Sequence, residues 1–462
     1  MISFILNSKT INTDKPNGIS LLDFIRYEIG LPGTKIGCRE GDCGACTVLE
    51  GTLIDGKVVY KSIVSCLTPL VNAHGKHIVT IEGINLEDKL SPVQKAMVDN
   101  AATQCGFCTP GFVMSFTGHC MKEEHSSTEK AIASVSGNIC RCTGYKSIER
   151  AAEDIAKHMQ DKNIESPIKW MVEQGYLPKY FLQIAERLDV ISPIEIMPQD
   201  KSIIIGGGTD LMVQKADTIY ESEVMPVLNH RKCKGITVEN GRCRIGASTT
   251  ANELMQSALL KDILPELSAQ LALISSEPIR NVGTIAGNIV NASPIGDLSI
   301  ILLALNAEIS IVDNDRRKGE PLKDFYLGYK KLNIRAGELV ESVSFPILQK
   351  PYHFNFEKVS KRTHLDIASV NSAMLIKVEN DIIVECNLSA GGVSPIPLYL
   401  KETSKFLIGK TISTDTLNGA NEVLQSEISP IGDVRGSVEY KRLLLKQLVF
   451  AHFVKLFPDK IK

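Results

Sequence analysis

The chain has 462 residues, more than one typical domain holds, so about three domains are expected. Hydrophobic residues make up 44% and charged residues 23%, which excludes an intrinsically disordered chain. With 51 Lys and Arg against 53 Asp and Glu the net charge is −2, so neither nucleic acid nor an anionic membrane is expected as a partner.

The opening MISFILNSKT has no charged leader followed by an apolar core, so a cytoplasmic location is expected. Ile2–Asn7 reads as a strand. Ser20 reads as a helix N-cap with Asp23 three residues on; Leu21, Leu22, Ile25 and Ile29 form one apolar face with Phe24 at its edge, and Gly30 ends the helix. A Gly/Cys loop follows over Gly33–Cys46, then strand-like runs at Thr47–Leu49, Lys57–Tyr60 and His77–Ile81. From Ser91 the pattern turns helical. Ser91-Pro92 and Thr109-Pro110 each read as an N-cap with Pro at the first helical position. Further helices are expected from Thr128 toward Ser136 and from Lys146 to His158, which makes a compact four-helix bundle. Asp161–Gly175 reads as a linker. Beyond it Gly, β-branched and helical stretches alternate to about Gln349. Strands then fall at Phe354–Val359 and Ala373–Val378, before helices that end in Tyr440–Leu456. The apolar run Ile300–Leu305 is broken by Asn306 and Glu308, short of a membrane span.

There are 12 cysteines. In a reducing compartment such crowding favours metal ligands over disulfides. Cys38-x4-Cys43-x2-Cys46, with Cys66 further on, has the plant-type ferredoxin spacing of a [2Fe–2S] cluster. Gly37, Gly41 and Gly44 let the loop fold tightly and aim N–H groups at sulfur. Cys105-x2-Cys108 and Cys140-x-Cys142 make a second set of four thiols, for which spacing alone leaves zinc and iron–sulfur both open. Cys120, Cys233, Cys243 and Cys386 lack partner spacing and are expected in cores. Downstream, SIIIGGGTDL (Ser202–Leu211) runs a strand into three glycines. It fits a main-chain cradle for a pyrophosphate or a plain tight turn, and it is not a GxGxxG fingerprint. RNVGTIAGNIVNASPIGDLS (Arg280–Ser299) is a second small-residue segment that allows close backbone approach.

GTKIGCREGDCGACTV, TQCGFCTPGFVMS and GNICRCTGY together resemble the two [2Fe–2S] domains of the molybdenum hydroxylases. The resemblance implies that Cys38, Cys43, Cys46 and Cys66 hold the cluster near the flavin, and that Cys105, Cys108, Cys140 and Cys142 hold the one near molybdenum. It places Gln104 against the molybdenum cofactor of a partner chain. The two small-residue segments resemble the family's FAD site. By that resemblance Ile204, Ile205, Gly206, Gly207, Gly208, Thr209, Asp210, Leu211, Thr284, Asn288 and Asp297 contact FAD. GELVESVSFP places Val340, or else Leu339, at the flavin, and FEKVSKRTHLDIASV supplies Lys358 and Asp366. Ile274 falls where the family carries an aromatic residue beside the flavin ring, and Ile cannot stack as Phe does. Tyr329 matches a position flanking the nicotinamide.

The architecture so implied is a multidomain α+β chain. It comprises a ferredoxin-like β-grasp domain (1–84), a four-helix [2Fe–2S] bundle (85–160), a linker (161–176), a vanillyl-alcohol-oxidase-type FAD domain (177–350) and a C-terminal α+β domain (351–462). The order most resembles the small subunit of bacterial xanthine dehydrogenases. That predicts two [2Fe–2S] clusters and FAD in this chain, with molybdopterin only in a large partner subunit, in a heterotetramer of two small and two large chains. Xanthine would be hydroxylated on the partner and NAD+ reduced here. A related enzyme acting on an aldehyde or N-heterocycle, or an electron-transfer module using a quinone or O2, would use the same parts. A structural zinc protein with a nucleotide-binding domain is the alternative without redox chemistry.

Overall fold

The computed structural model describes residues 1–191, 202–313, 316–348, 351–362 and 365–461. The boundary expected at residue 350 lies outside them, as do Thr363 and His364 of the Lys358 segment. The chain is a multidomain α+β protein that divides into two compact units, Met1–Pro226 with Ser276–Val282, and Val227–Ser275 with Gly283–Lys462. Among the described residues no helix is long and apolar enough to cross a membrane.

In the first unit a five-stranded sheet runs in the order 9–13, 2–6, 77–79, 47–54, 57–64. All pairs are antiparallel except Ile2–Leu6 with His77–Val79. One face packs on the helical segment after Ser20. That segment is α over Leu21–Asp23 and widens to a π turn over Phe24–Glu28. Ser20 caps it as expected, its Oγ accepting from the Asp23 N–H at 3.0 Å. The wide turn changes the buried face: Phe24 turns fully inward and Ile29 is left exposed, the reverse of their expected roles.

The other sheet face meets the helix Thr109–Cys120, which packs with the helices Pro92–Asp99, Thr128–Ser134 and Lys146–His158 in a bundle. Leu49, Tyr60 and Val79 of the sheet share one core with Phe112, Phe116, Ile148 and Ile155. Gly118 lets helix and sheet approach, since a Cβ there would meet Leu49 Cδ2 at 2.8 Å. Ser91 and Gln94 form a capping box. Thr109 is not a cap: the N-cap is Cys108, so Thr109 and Pro110 already lie in the first turn, and the Thr109 hydroxyl pairs with Thr103 at 2.7 Å. The helix expected from Thr128 begins there, capped by Ser127, and ends at Ser134, short of Ser136. The stretch expected as a linker carries a helix, Pro167–Glu173, with Met171 fully buried in the helical core. The strands Ile203–Ile205 and Val224–Pro226 pair in parallel, and Ile205, Met212 and Ile219 join the core of the five-stranded sheet.

The second unit holds an antiparallel sheet in the order 316–321, 308–313, 339–346, 242–246, 236–239, and another in the order 352–359, 370–379, 382–391, 398–399. Helix Asp297–Ala304 is buried along its whole length and packs on the strands Val370–Glu379 and Ile382–Gly391. Helices Lys401–Leu407, Thr414–Glu427 and Val438–Leu456 complete the unit. Cys120, Cys233, Cys243 and Cys386 are all buried.

Candidate functional site

The loop after Gly33 turns on residues with left-handed backbone: Arg39 (φ 58°), Gly41 (φ 80°) and Gly44 (φ 65°). This folding carries Cys38 back onto Cys43. The Cys38 N–H donates to Cys43 Sγ at 3.4 Å and the Glu40 N–H to Cys38 Sγ at 3.3 Å. At Gly37 a Cβ would come 2.5 Å from Cys43 Sγ, so only glycine fits. A bidentate pair from Arg39 to Asp23, at 2.6 and 2.9 Å, pins the loop to the Ser20-capped helix. The thiols meet as pairs. The hydrogen bond with Cys43 holds Cys38 down at about 5 and pushes Cys43 up. The hydrogen bond with Cys66 likewise lowers buried Cys46 and raises Cys66. Cys38 also acts electrostatically on both Cys46 and Cys66, so all four thiols share one neighbourhood.

The second quartet assembles across helix ends. Cys142 Sγ lies 3.6 Å from Cys105 Sγ, both exposed, while Cys108 pairs with buried Cys140. Burial raises the Cys140 thiol, but hydrogen bonds from the Thr143 side chain and the Thr143 and Cys142 main chain outweigh it and bring it to about 7. The Thr143 hydroxyl lies 3.2 Å from Cys140 Sγ, and the Cys140 N–H donates to the Tyr145 hydroxyl at 3.1 Å. Sequence spacing did not single out Thr143 or Tyr145, though both sit in the CRCTGY run. The thiols meet in pairs, Cys38 with Cys43, Cys46 with Cys66, Cys105 with Cys142 and Cys108 with Cys140, and thiols backed by N–H and O–H donors are the donor type that suits iron–sulfur ligation. Gln104 is exposed beside Cys105, and Phe107 is 48% exposed. Cys43→Ser is expected to remove one of two low-temperature EPR signals of the reduced protein and leave the other. Loss of both signals, or of neither, would contradict two separate cysteine sets.

The expected FAD residues fall on both units. In the first, Ile204 and Ile205 end a strand, and Gly206, Gly207, Gly208, Thr209 and Asp210 turn into the short helix that begins at Leu211. The Gly206 carbonyl accepts from Asn72 Nδ2 at 2.9 Å. A Cβ on Gly207 would overlap the Val282 carbonyl, and Gly208 has φ +83° with the Leu67 carbonyl 2.6 Å from its would-be Cβ. Gly207 and Gly208 are buried, so these glycines serve packing inside the unit; main-chain amides of such a turn are the donor type that suits a pyrophosphate.

In the second unit Thr284 caps its helix, its Oγ1 accepting from the Gly287 N–H at 3.1 Å. Asn288 Oδ1 accepts from both the N–H and the hydroxyl of Ser299, each at 3.0 Å. The structure joins two residues far apart in sequence: Lys358 Nζ lies 2.8 Å from Asp297 Oδ2 and donates to the Leu273 carbonyl at 3.0 Å. Asn371 Nδ2 donates to the other carboxylate oxygen of Asp297. Ile274 is buried in the core, next to the turn that Lys358 grips. Val340 is also a core residue, while Leu339 keeps partial exposure on the neighbouring strand position. Asp366 accepts from the Arg362 N–H at 3.0 Å, and Tyr329 is 64% exposed.

Four family profiles match the chain in order: a 2Fe-2S iron-sulfur cluster binding domain over residues 4–71, a [2Fe-2S] binding domain over 80–153, the FAD binding domain in molybdopterin dehydrogenase over 182–348, and the CO dehydrogenase flavoprotein C-terminal domain over 356–456. Xanthine dehydrogenase of Oryza sativa subsp. japonica is 30% identical, over 95% of this chain and 38% of the relative. Xanthine dehydrogenase 1 of Arabidopsis thaliana is 28% identical over the same shares. Aldehyde oxidase 3 of Rattus norvegicus is 25% identical, over 100% of this chain and 39% of the relative. The chain thus spans well under half the length of these relatives. Among solved structures, a Cu,Mo-CO dehydrogenase chain superimposes with a TM-score of 0.51 at 24% identity, over 54% of this chain and 87% of that one. A chain of quinoline 2-oxidoreductase from Pseudomonas putida 86 gives 0.51 at 23%, over 56% and 90%.

Proposed function

The chain belongs to the molybdenum hydroxylase family, carrying its two [2Fe–2S] domains and its FAD domain, and on that premise we propose that it is the iron–sulfur/flavin small subunit of a xanthine dehydrogenase. Its partner is a large subunit that bears molybdopterin and hydroxylates the purine, in a cytoplasmic assembly of two small and two large chains, and NAD+ is the terminal acceptor. The observation that carries this reading is the presence of two cysteine quartets and a flavin module on one chain.

When bound, the clusters supply one-electron transfer and the flavin supplies exchange between one- and two-electron chemistry. The residues of this chain do the holding. Cys38, Cys43, Cys46 and Cys66 would ligate one cluster, and Cys105, Cys108, Cys140 and Cys142 the other. Glu40, Thr143 and Cys142 direct N–H or O–H groups at those sulfurs. The Gly206–Thr209 amides would bind the FAD pyrophosphate. Lys358, fixed by Asp297 and Leu273, and the Thr284 and Asn288 segment would line the flavin. The second reading, a sister enzyme acting on an aldehyde, draws on the similarity to aldehyde oxidase 3, which spans the whole of this chain.

The isolated chain is expected to be brown, with about four irons, and to release FAD on acid precipitation. It should oxidise NADH with an artificial acceptor and be inert toward xanthine. With its large subunit, xanthine should drive NAD+ reduction, and Gln104→Ala should weaken that coupling while sparing the NADH reaction. Colourless protein with stoichiometric zinc would overturn the redox reading. Reduction driven by an aldehyde and not by xanthine would select the sister enzyme.

A further inference from the structure

The Gly206 carbonyl is held from inside the first unit by one side chain. Asn72 Nδ2 donates to it at 2.9 Å, and a carbonyl only accepts, so the amide nitrogen is the end that faces it. Asn72 is 2% exposed and sits in the turn Leu70–Ala73, all of it buried. The main chain beside Asn72 is fixed in turn: the Leu70 N–H donates to the Ile19 carbonyl at 2.8 Å and the Val71 N–H to the Asn17 carbonyl at 3.1 Å. The other end of the Asn72 amide, Oδ1, is buried and accepts from no group among the described residues. Asn72 thus gains one hydrogen bond and strands one acceptor, which leaves it close to neutral for stability.

Among the described residues no other hydrogen bond fixes the peptide between Gly206 and Gly207. Both of its flanks are glycine, so its plane can turn over at little steric cost. A trans peptide points its C=O and N–H in opposite directions. With the carbonyl drawn to Asn72, the Gly207 N–H faces away from Asn72. Gly207 is buried, and its N–H meets no acceptor among the described residues, a state that native chains complete with water or a ligand. Turned over, the same peptide would offer a carbonyl in that direction and repel an anion.

We propose that Asn72 is a positioning residue of the flavin site: by holding the Gly206 carbonyl it aims the Gly207 N–H at a pyrophosphate oxygen of FAD. It acts through the peptide and does not itself touch the ligand. Asn72 follows Cys66 on the same short stretch of chain, so the segment that supplies a cysteine of the first quartet also sets the shape of the glycine turn. The proposal rests on the reading that the Gly206–Thr209 turn receives the pyrophosphate.

The test uses the full chain, stripped of flavin and titrated by calorimetry with FAD, and with ADP as a probe that carries a pyrophosphate and no flavin. In the wild type, amide exchange at residues 206–209 should slow when either probe binds. Exchange there that ignores both probes would overturn the pyrophosphate reading, and the proposal with it. Asn72→Leu keeps the volume and removes the donor together with the stranded acceptor. It is expected to weaken FAD binding about thirtyfold, the loss of one hydrogen bond to a charged group, and ADP binding by a similar factor. The melting temperature of the flavin-free chain should not fall, because removing the stranded oxygen offsets the lost bond. An unchanged Kd for FAD in the folded variant overturns the proposal while leaving the pyrophosphate reading in place. So does a weaker Kd accompanied by earlier melting of the flavin-free chain, since Asn72 would then support the fold and not the peptide. Should the branching of Leu block folding, Asn72→Ala removes the same donor without adding a branch and is expected to weaken both probes to the same extent; an unchanged Kd there overturns the proposal as well.

Discussion

Between pH 7.5 and pH 5 the melting temperature is expected to fall by about 10 °C, through two histidines held neutral inside the first unit. Burial pushes His77 down to about 3 and His119 down to about 4. The Tyr60 hydroxyl lies 2.7 Å from His77 Nδ1, and the Asn7 carbonyl 2.9 Å from Nε2. A carbonyl only accepts, so Nε2 carries the proton and Nδ1 accepts from Tyr60. His119 Nε2 meets Ser126 at 2.8 Å, and its Nδ1 is buried without a partner. Because both folded values lie below the ordinary 6.5, the unfolded chain binds more protons in this range. Stability is complete above pH 6.5 and is lost as pH falls toward 4 and 3, at about 1.4 kcal/mol per pH unit for each histidine. His452 in the second unit, pushed by burial to about 3, adds the same dependence there. Glu50 follows at lower pH. Burial raises it, but Lys61 and Lys76 hold it at about 2, so its contribution is lost between pH 4.5 and 2. Thermal unfolding of the apo chain at several pH values measures this. A melting temperature flat from pH 7.5 to 5 would refute it. His77→Gln should remove roughly half of the dependence in the first unit, as one of two equal contributors.

Cys38, Cys43 and Cys46 were legible in the sequence as a set because they lie a few residues apart on a loop whose glycines announce its shape, whereas the approach of Cys66, and of Cys105 and Cys108 to Cys140 and Cys142, is made by the fold. Cap positions were legible only to within a residue. Thr109-Pro110 looked like cap and first turn, yet the tertiary fold made Cys108 the cap and paired the Thr109 hydroxyl with Thr103. The helix Pro167–Glu173 was hidden because it is short and only Pro167 and Met171 face inward. The Asn138–Gly44 and Lys358–Asp297 contacts join residues 94 and 61 positions apart. Nothing local distinguishes such an Asn or Lys from a solvated one. Resemblance pointed to Lys358 and Asp297 separately; that one grips the other is a property of the fold.

That grip carries the last prediction. Lys358 has only 2% of its side chain exposed and Asp297 10%, and their charged atoms lie 2.8 Å apart. Lys358→Met keeps the stem of the side chain and deletes the ammonium, leaving a buried carboxylate supported by Asn371 and by its place in the first turn of helix Asp297–Ala304. The helix N-terminus favours an anion by less than ~2 kcal/mol, whereas stranding one member of a buried pair costs about 3–5 kcal/mol. The stranded charge outweighs the dipole, so the second unit should melt earlier. Asp297→Asn strands the ammonium instead and should cost a similar amount. The double variant strands neither charge and should recover most of the loss, because replacing both partners of a buried pair is often close to neutral. A double-mutant cycle by denaturant titration measures the coupling; additive losses would mean that the pair is not coupled. Flavin content read on the same samples separates stability from binding. If Lys358 also serves FAD, the double variant regains its melting temperature and still loses flavin on desalting, because charge balance is restored while the ammonium is not.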